Sequence, residues 1–310
     1  MRLQTIFIVI VCAILFAILS FAYMGRSRGH IFSSLGYGDE YFVTTHLTPI
    51  PLAQIIEKSS LTVQSATSSA LISTPSASFA TPSSRMRIPI ITYHYVEYVK
   101  NRLDTTRIKL TINPRLFEEQ LKSLHDGGVQ TYFIKEIPSL LKGDLVLATK
   151  SAVLTFDDGY RDFYTDAFPV LKKYQMKGTI FLISSFLGRN DFLTLEQVTE
   201  MLDSGLIEVG SHTLHHANLK KANLSYATDE IVQSKANLEK LFGISVESFA
   251  YPYGAFDDQA VRLVKEASYS AAVSTVSGVH HTLDDLYTLK RWRAGVLQGT
   301  RSADILDALQ

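Results

Sequence analysis

The 310-residue chain holds a single cysteine, Cys12. One cysteine forms no disulfide within the chain and builds no cysteine-ligated metal site. Cys12 lies between Val11 and Ala13 in an apolar N-terminal run. It lacks the small residue that a lipid-attachment signal places before its cysteine, and it reads as a small apolar residue of a membrane helix. A surplus of either charge is also missing, since 30 Lys and Arg balance 30 Asp and Glu. That balance speaks against nucleic acid as a partner. There are no internal repeats at solenoid periods, which excludes a stacked-repeat architecture. What remains is a globular composition, long enough for a membrane segment, a spacer and one domain of about 200 residues.

Residues 6–23 carry no charge and are flanked by Arg2 on one side and Arg26 and Arg28 on the other. This length is near the minimum for crossing a bilayer and near that of a long signal peptide. Arginines at both ends leave charge without a vote on orientation. The expectation is an uncleaved anchor over 1–25, touching the membrane through 6–23, with the rest of the chain outside the cytoplasm. Ser20 and Ala22 suit the small-residue positions of a cleavage site, and a cut after Ala22 would make the protein secreted. Residues 26–86 follow without sustained periodicity. More than half of 59–84 is Ser or Thr, with Pro75 and Pro82 among them. Such a stretch buries too little apolar surface to offset its ordering entropy and is expected to be a flexible, disordered spacer. No protein partner is expected.

The pattern changes at residue 87, where the expected catalytic domain, 87–310, begins. Short apolar runs predict strands over 88–93, 131–134, 152–156, 179–183, 207–210, 248–251, 270–273 and 289–293. Helical patterns fall at 114–125, 161–174, 195–204, 226–242, 257–267 and 303–309. Pro114 at an early helical position and Gly127-Gly128 after the end frame the first of these. Strands alternating with helices predict an α/β fold with a parallel sheet and right-handed crossovers. About eight strands favour a barrel over an open sheet, and barrels carry their chemistry at the carboxyl ends of the strands.

Three segments at such ends carry chemistry. The first is Thr155-Phe156-Asp157-Asp158-Gly159. Adjacent carboxylates repel, and a cation or hydrogen bonds must offset that repulsion; the plainer alternative is a helix N-cap. The second is Ser211-His212-Thr213-Leu214-His215-His216. His212 and His216, four apart, would share one face of a helical turn and could hold one metal ion. His212 with His215, or a plain surface cluster, are the alternatives. One carboxylate and two imidazoles make a metal site with open positions, and the second carboxylate is free to act as a base in metal-assisted hydrolysis. The third is Phe249-Ala250-Tyr251-Pro252-Tyr253-Gly254, a stiff turn offering aromatic surface to a sugar ring.

Across residues 88–310 these motifs resemble the polysaccharide deacetylase family, also called the NodB-homology group or carbohydrate esterase family 4. The resemblance implies a distorted (β/α) barrel of about seven strands. It implies Asp157 as catalytic base, and Asp158, His212 and His216 as ligands of a divalent metal. Zn²⁺ is the expected ion, with Co²⁺ or Ni²⁺ as alternatives. It implies an acetylated polysaccharide as substrate and hydrolysis of a carbon–nitrogen bond that is not a peptide bond.

Two departures stand out. The third motif usually opens with an arginine that holds the base, and Ala250 stands there, as in a variant subgroup with Ala-Tyr-Pro-Tyr-Gly. Arg291 is the expected replacement, with Arg293 as its alternative. The late Leu-x-His motif that usually supplies the general acid is absent after Gly254, and His94, closing the first strand, is expected in its place. Tyr251, Tyr253 and Trp292 are expected to line the sugar and acetyl pocket, the Tyr253 N–H meeting the oxyanion. Two other readings use the same barrel: an O-acetyl esterase of polysaccharide and a non-catalytic glycan-binding module, the latter resting on Ala250 and the missing late histidine.

Overall fold

A computed structural model of the chain describes residues 85–293. The apolar run 6–23, the spacer as far as residue 84 and the helix expected over 303–309 lie outside the described residues. Among the described residues, no helix is long and apolar enough to cross a membrane.

The strands are β1 (Met86–Arg87), β2 (Ile90–Tyr93), β3 (Tyr95–Val96), β4 (Thr111–Ile112), β5 (Gln130–Tyr132), β6 (Ser151–Phe156), β7 (Gly178–Leu182), β8 (Ile207–Ser211), β9 (Ser248–Ala250), β10 (Ala271–Ser277), β11 (His280–His281) and β12 (Leu289–Arg293). Seven of them close a parallel ring in the order β2-β12-β10-β9-β8-β7-β6, with β6 returning to β2. The eighth expected strand, β5, pairs only with the first half of β6 and stays out of the ring. Its following turn is tied to the ring instead, by Ile134 N–H donating to Thr179 Oγ1. That arrangement reconciles eight apolar runs with a seven-stranded barrel.

Most ring strands are largely apolar in sequence because both faces are buried; β12, with Lys290, Arg291 and Arg293, is the exception. Ile90, Val153, Phe181, Val273 and Leu289 fill the interior. Their neighbours Ile91, Leu154, Ile180 and Ala272 face the surrounding helices. Gly210 makes the interior possible: a Cβ there would lie 2.6 Å from the Phe181 ring.

The helices are α1 (Thr105–Leu110), α2 (Pro114–Asp126), α3 (Ile137–Lys142), α4 (Phe168–Tyr174), α5 (Leu195–Asp203), α6 (Leu224–Phe242) and α7 (Asp258–Glu266). Asn113, Thr194, Asn223 and Asp257 cap α2, α5, α6 and α7 by accepting backbone N–H groups. The helix expected over 161–174 is shorter and irregular. A π-helical turn, Phe163–Ala167, precedes α4, and the Phe168 N–H bonds back to Phe163 O. Pro169 explains this, since it has no N–H to continue the regular ladder. The segment 95–112, to which the sequence pattern assigns no strand or helix, folds into β3, α1 and β4 beside the mouth of the barrel. Arg107 on α1 reaches back to the Glu97 carboxylate and lies 4.4 Å over the Tyr95 ring.

Candidate active site

Strand β6 ends at Phe156, so Asp157 and Asp158 emerge together at the mouth of the barrel. Asp157 is 3% exposed. Arg291 on β12 grips it with two hydrogen bonds, Nη1 to Oδ1 and Nη2 to Oδ2, each 2.7 Å. The same guanidinium donates Nε–H to Ser274 O and Nη1–H to Thr155 Oγ1. Burial alone raises the Asp157 carboxyl, but the guanidinium outweighs it and the net direction is down. The Asp157 carboxylate is thus held ionised. Ala250 and Arg291 both face the barrel interior, so the arginine missing from β9 is replaced by one reaching in from β12. One of the two supports for a non-catalytic module, Ala250, is thereby answered; the other is the missing late histidine. Arg293 is exposed and donates to Lys109 O, away from Asp157.

Asp158 leaves the strand with φ of 78°, a backbone conformation that costs a non-glycine residue strain. Thr213, His216 and Tyr253 share this left-handed region, at φ of 66°, 62° and 59°. The strain gathers where the functional side chains converge. His212 and His216 do not share a helical face as expected. Residues 213–215 form a turn, and the left-handed backbone at Thr213 and His216 turns both imidazoles to Asp158. Their Nε2 atoms lie 3.4 and 3.2 Å from Asp158 Oδ1. The three potential ligand atoms lie within 4.8 Å of one another.

His212 Nδ1 is 2.8 Å from Ala250 O, an acceptor only, so Nδ1 carries a proton and Nε2 is the nitrogen turned to Asp158. His216 Nδ1 is 3.0 Å from the Tyr253 hydroxyl. Asp158 Oδ1 is buried and has no hydrogen-bond partner. An orphaned carboxylate oxygen facing two imidazole nitrogens is the donor set a divalent cation satisfies, so these residues fit a metal. Burial raises Asp158, yet the two histidines bring its net shift down. Burial lowers His212, and the Asp158 and Asp157 carboxylates reverse that to a net rise.

His94 follows β2, with Nε2 3.8 Å from Asp157 Oδ2. Burial pushes its pKa down, against the pull of both aspartates. Tyr253 is 67% exposed beside His216, with ring centroids 4.5 Å apart. The turn holding it needs Gly254, because a Cβ there would lie 1.8 Å from Thr275 Oγ1.

Two expected pocket residues do not join the site. Tyr251 is fully buried in the outer core, packs on Phe249 and Phe256, and donates its hydroxyl to Tyr287 O. Trp292 packs against the same outer core. Strand alternation explains it: Arg291 points inward, so the next residue points out. Tyr160 was not anticipated. It stacks on Tyr95 at 3.9 Å, and burial, with the Asp158 charge, pushes its hydroxyl up. A tyrosine one residue past Asp-Asp-Gly was the only signal.

Barrel, charged mouth and an Asp-His-His group that could hold a metal ion together fit a hydrolase of the metal-dependent class. Residues 146–272 match the family model for polysaccharide deacetylase. The chain is 34% identical over 207 residues to YxkH of Bacillus subtilis (strain 168), whose name assigns it provisionally to the polysaccharide deacetylases; the match covers 67% of this chain and 71% of that protein. It is 35% identical over 130 residues to the poly-beta-1,6-N-acetyl-D-glucosamine N-deacetylase of Staphylococcus epidermidis, over 38% of this chain and 45% of that protein. The solved structure of the Streptococcus pyogenes deacetylase PplD in complex with acetate superposes with a TM-score of 0.68 at 30% identity, over 74% of this chain and all of that one. The chain belongs to the polysaccharide deacetylase family. It is a hydrolase that removes acetyl groups from polysaccharide, acting on carbon–nitrogen bonds other than peptide bonds.

Proposed function

We propose that this chain is a Zn²⁺-dependent N-deacetylase of an N-acetylglucosamine polymer, working outside the cytoplasm from a membrane anchor over residues 6–23. The observation that carries the reading is Asp158 Oδ1, buried and unpartnered between two imidazole nitrogens. The polymer is suggested by the staphylococcal relative, and the location by the uncharged run and the Ser/Thr-rich segment after it.

Asp158, His212 and His216 would hold the ion. When bound, a divalent ion supplies Lewis-acid polarisation of the acetyl carbonyl and lowers the pKa of a water. The chain's own residues do the rest. Arg291 fixes both oxygens of Asp157 and keeps the carboxylate ionised. Asp157 takes a proton from the attacking water. His94 gives a proton to the departing amine. Tyr253, half over His216, keeps that imidazole oriented through its hydroxyl, and its backbone N–H is the expected donor to the oxyanion.

The test is deacetylation of N-acetylglucosamine oligomers by the purified full-length chain. Activity should vanish on chelation, return with Zn²⁺ or Co²⁺, and be lost in His212→Ala. Full activity in His212→Ala would overturn the metal assignment. Turnover confined to O-acetylated xylan would replace the amidase with an esterase.

A further inference from the structure

His215 stands between the two histidine ligands' reach and is not one of them. Its imidazole is half exposed, yet it is bound to a carboxylate that is not: Glu230 of α6 is 1% exposed. One Glu230 oxygen lies 2.7 Å from His215 Nδ1, and the other accepts the His215 backbone N–H at 2.8 Å. The Glu230 backbone carbonyl accepts the Leu214 N–H at 3.0 Å. A buried carboxylate is costly, and here both of its oxygens are committed to one residue of the turn. One helical turn on, Ser234 Oγ lies 2.8 Å from Ser211 Oγ, both groups fully buried.

The two contacts repeat a pattern. Ser211 immediately precedes His212, and His215 immediately precedes His216. Their partners, Ser234 and Glu230, are four residues apart on α6 and so lie on one face of that helix. Four residues also separate Ser211 from His215. The turn between the histidines has no helical ladder of its own, and Thr213 within it and His216 after it are held in left-handed backbone. Something outside the turn must fix the distance between the imidazoles.

We infer that α6 is the template of the metal centre: Ser234 and Glu230 are positioning residues that set the separation of His212 and His216 through Ser211 and His215. The inference rests on the metal-centre reading above. It also gives the third histidine of the cluster a task.

The experiment is titration of the metal-free, full-length chain with Co²⁺, read from its visible absorption, with Zn²⁺ affinity from competition against a chelating dye. Glu230→Ala should weaken both ions by about tenfold and change the Co²⁺ bands, the low end for loss of a group outside the ligands, because Glu230 acts through His215. Glu230→Gln keeps an oxygen for the His215 N–H and should stay close to wild type. Ser234→Ala should weaken binding less than Glu230→Ala. Leu238→Ala, a buried core truncation on the same helix, should lower the melting temperature and leave metal affinity unchanged. Wild-type affinity and spectrum in Glu230→Ala would overturn the inference. So would a loss of affinity in Leu238→Ala equal to that in Glu230→Ala, because the effect would then be one of fold stability. A wild-type chain that takes up neither ion would overturn the metal-centre reading itself.

Discussion

Two carboxyl groups lie in the same barrel, equally buried, and meet opposite fates. Asp157 at the mouth and Glu208 in the interior are 3% and 4% exposed. Desolvation is the largest influence on each, and it favours the neutral form. Asp157 is answered by a guanidinium on both oxygens and its pKa falls. Glu208 is answered by the hydroxyls of Ser248 and Thr179 and the Lys135 N–H, and its pKa stays raised. Burial sets the cost, and the partner decides the charge. A carboxylate is held ionised where a guanidinium from another strand sits on both oxygens; a carboxyl keeps a raised pKa where it meets hydroxyl and N–H dipoles with only a lesser pull from the Lys135 charge.

The hardest test of this contrast is Arg291→Met. It leaves the Asp157 carboxylate buried and unpaired. Removing one partner of a buried pair costs about 3–5 kcal/mol of stability, which chemical denaturation will show. kcat/KM should fall at least about hundredfold, the scale of an acid–base group lost. The double variant Asp157→Asn, Arg291→Met should recover most of the stability and none of the activity. Unchanged stability in Arg291→Met would mean that the ion pair does not hold the base.

His94→Asn should lower kcat by about 10²–10⁴-fold. It should also flatten the basic limb of the pH–rate profile, because the proton-giving form of His94 is lost as pH rises. Burial moves that limb to the acid side of the ordinary 6.5. Basic limbs that coincide in the two proteins would remove His94 as the acid.

Tyr253→Phe removes the hydroxyl from His216 Nδ1 and leaves the ring. Metal affinity should drop about tenfold, the low end for a ligand's supporting partner, since Tyr253 is exposed and water can take its place. A dye competition that finds no change would confine Tyr253 to substrate contact.

Glu208→Gln should be the mildest. Activity should be unchanged and stability altered by about 1 kcal/mol, the worth of a rearranged hydrogen bond. The pH dependence carries the sharper information. A folded-state pKa raised above the ordinary 4.5 means that the folded chain binds more protons than the unfolded chain. Glu208 therefore subtracts stability as pH rises from 4.5 through its folded value. Asp157 has the opposite sign: its depressed pKa contributes stability above the ordinary 3.8, lost as pH falls through the folded value. Glu208→Gln should remove the decline between pH 4.5 and the folded value, and a wild-type slope in that variant would sink the contrast.

Much of the barrel is legible in the chain. The apolar runs 152–156, 179–183 and 207–210 fall within a residue or so of β6, β7 and β8, because strands buried on both faces are mostly apolar and admit a polar residue only where it finds partners. The segment 95–112 is not legible: β3 and β4 are two-residue strands that exist only through pairing with each other. At the site, Asp157, Asp158, His212 and His216 are visible because each pair is close in sequence at a strand end. Tyr251 misleads because an aromatic beside Pro and Gly looks the same whether its ring faces sugar or core. Trp292 follows the same logic from one residue beyond Arg291.

The sequence by itself marked Asp157, Asp158, His212 and His216 as candidates and set them at strand ends, since residue type and strand patterning are local properties of the chain. Only the tertiary structure decided how they are used. Closure of the ring brings Arg291 across 134 positions of sequence to Asp157, and packing of α6 brings Glu230 to His215. A cation's hold on a buried carboxylate depends on a few ångströms, and no pattern along the chain encodes a distance between residues that only folding makes neighbours.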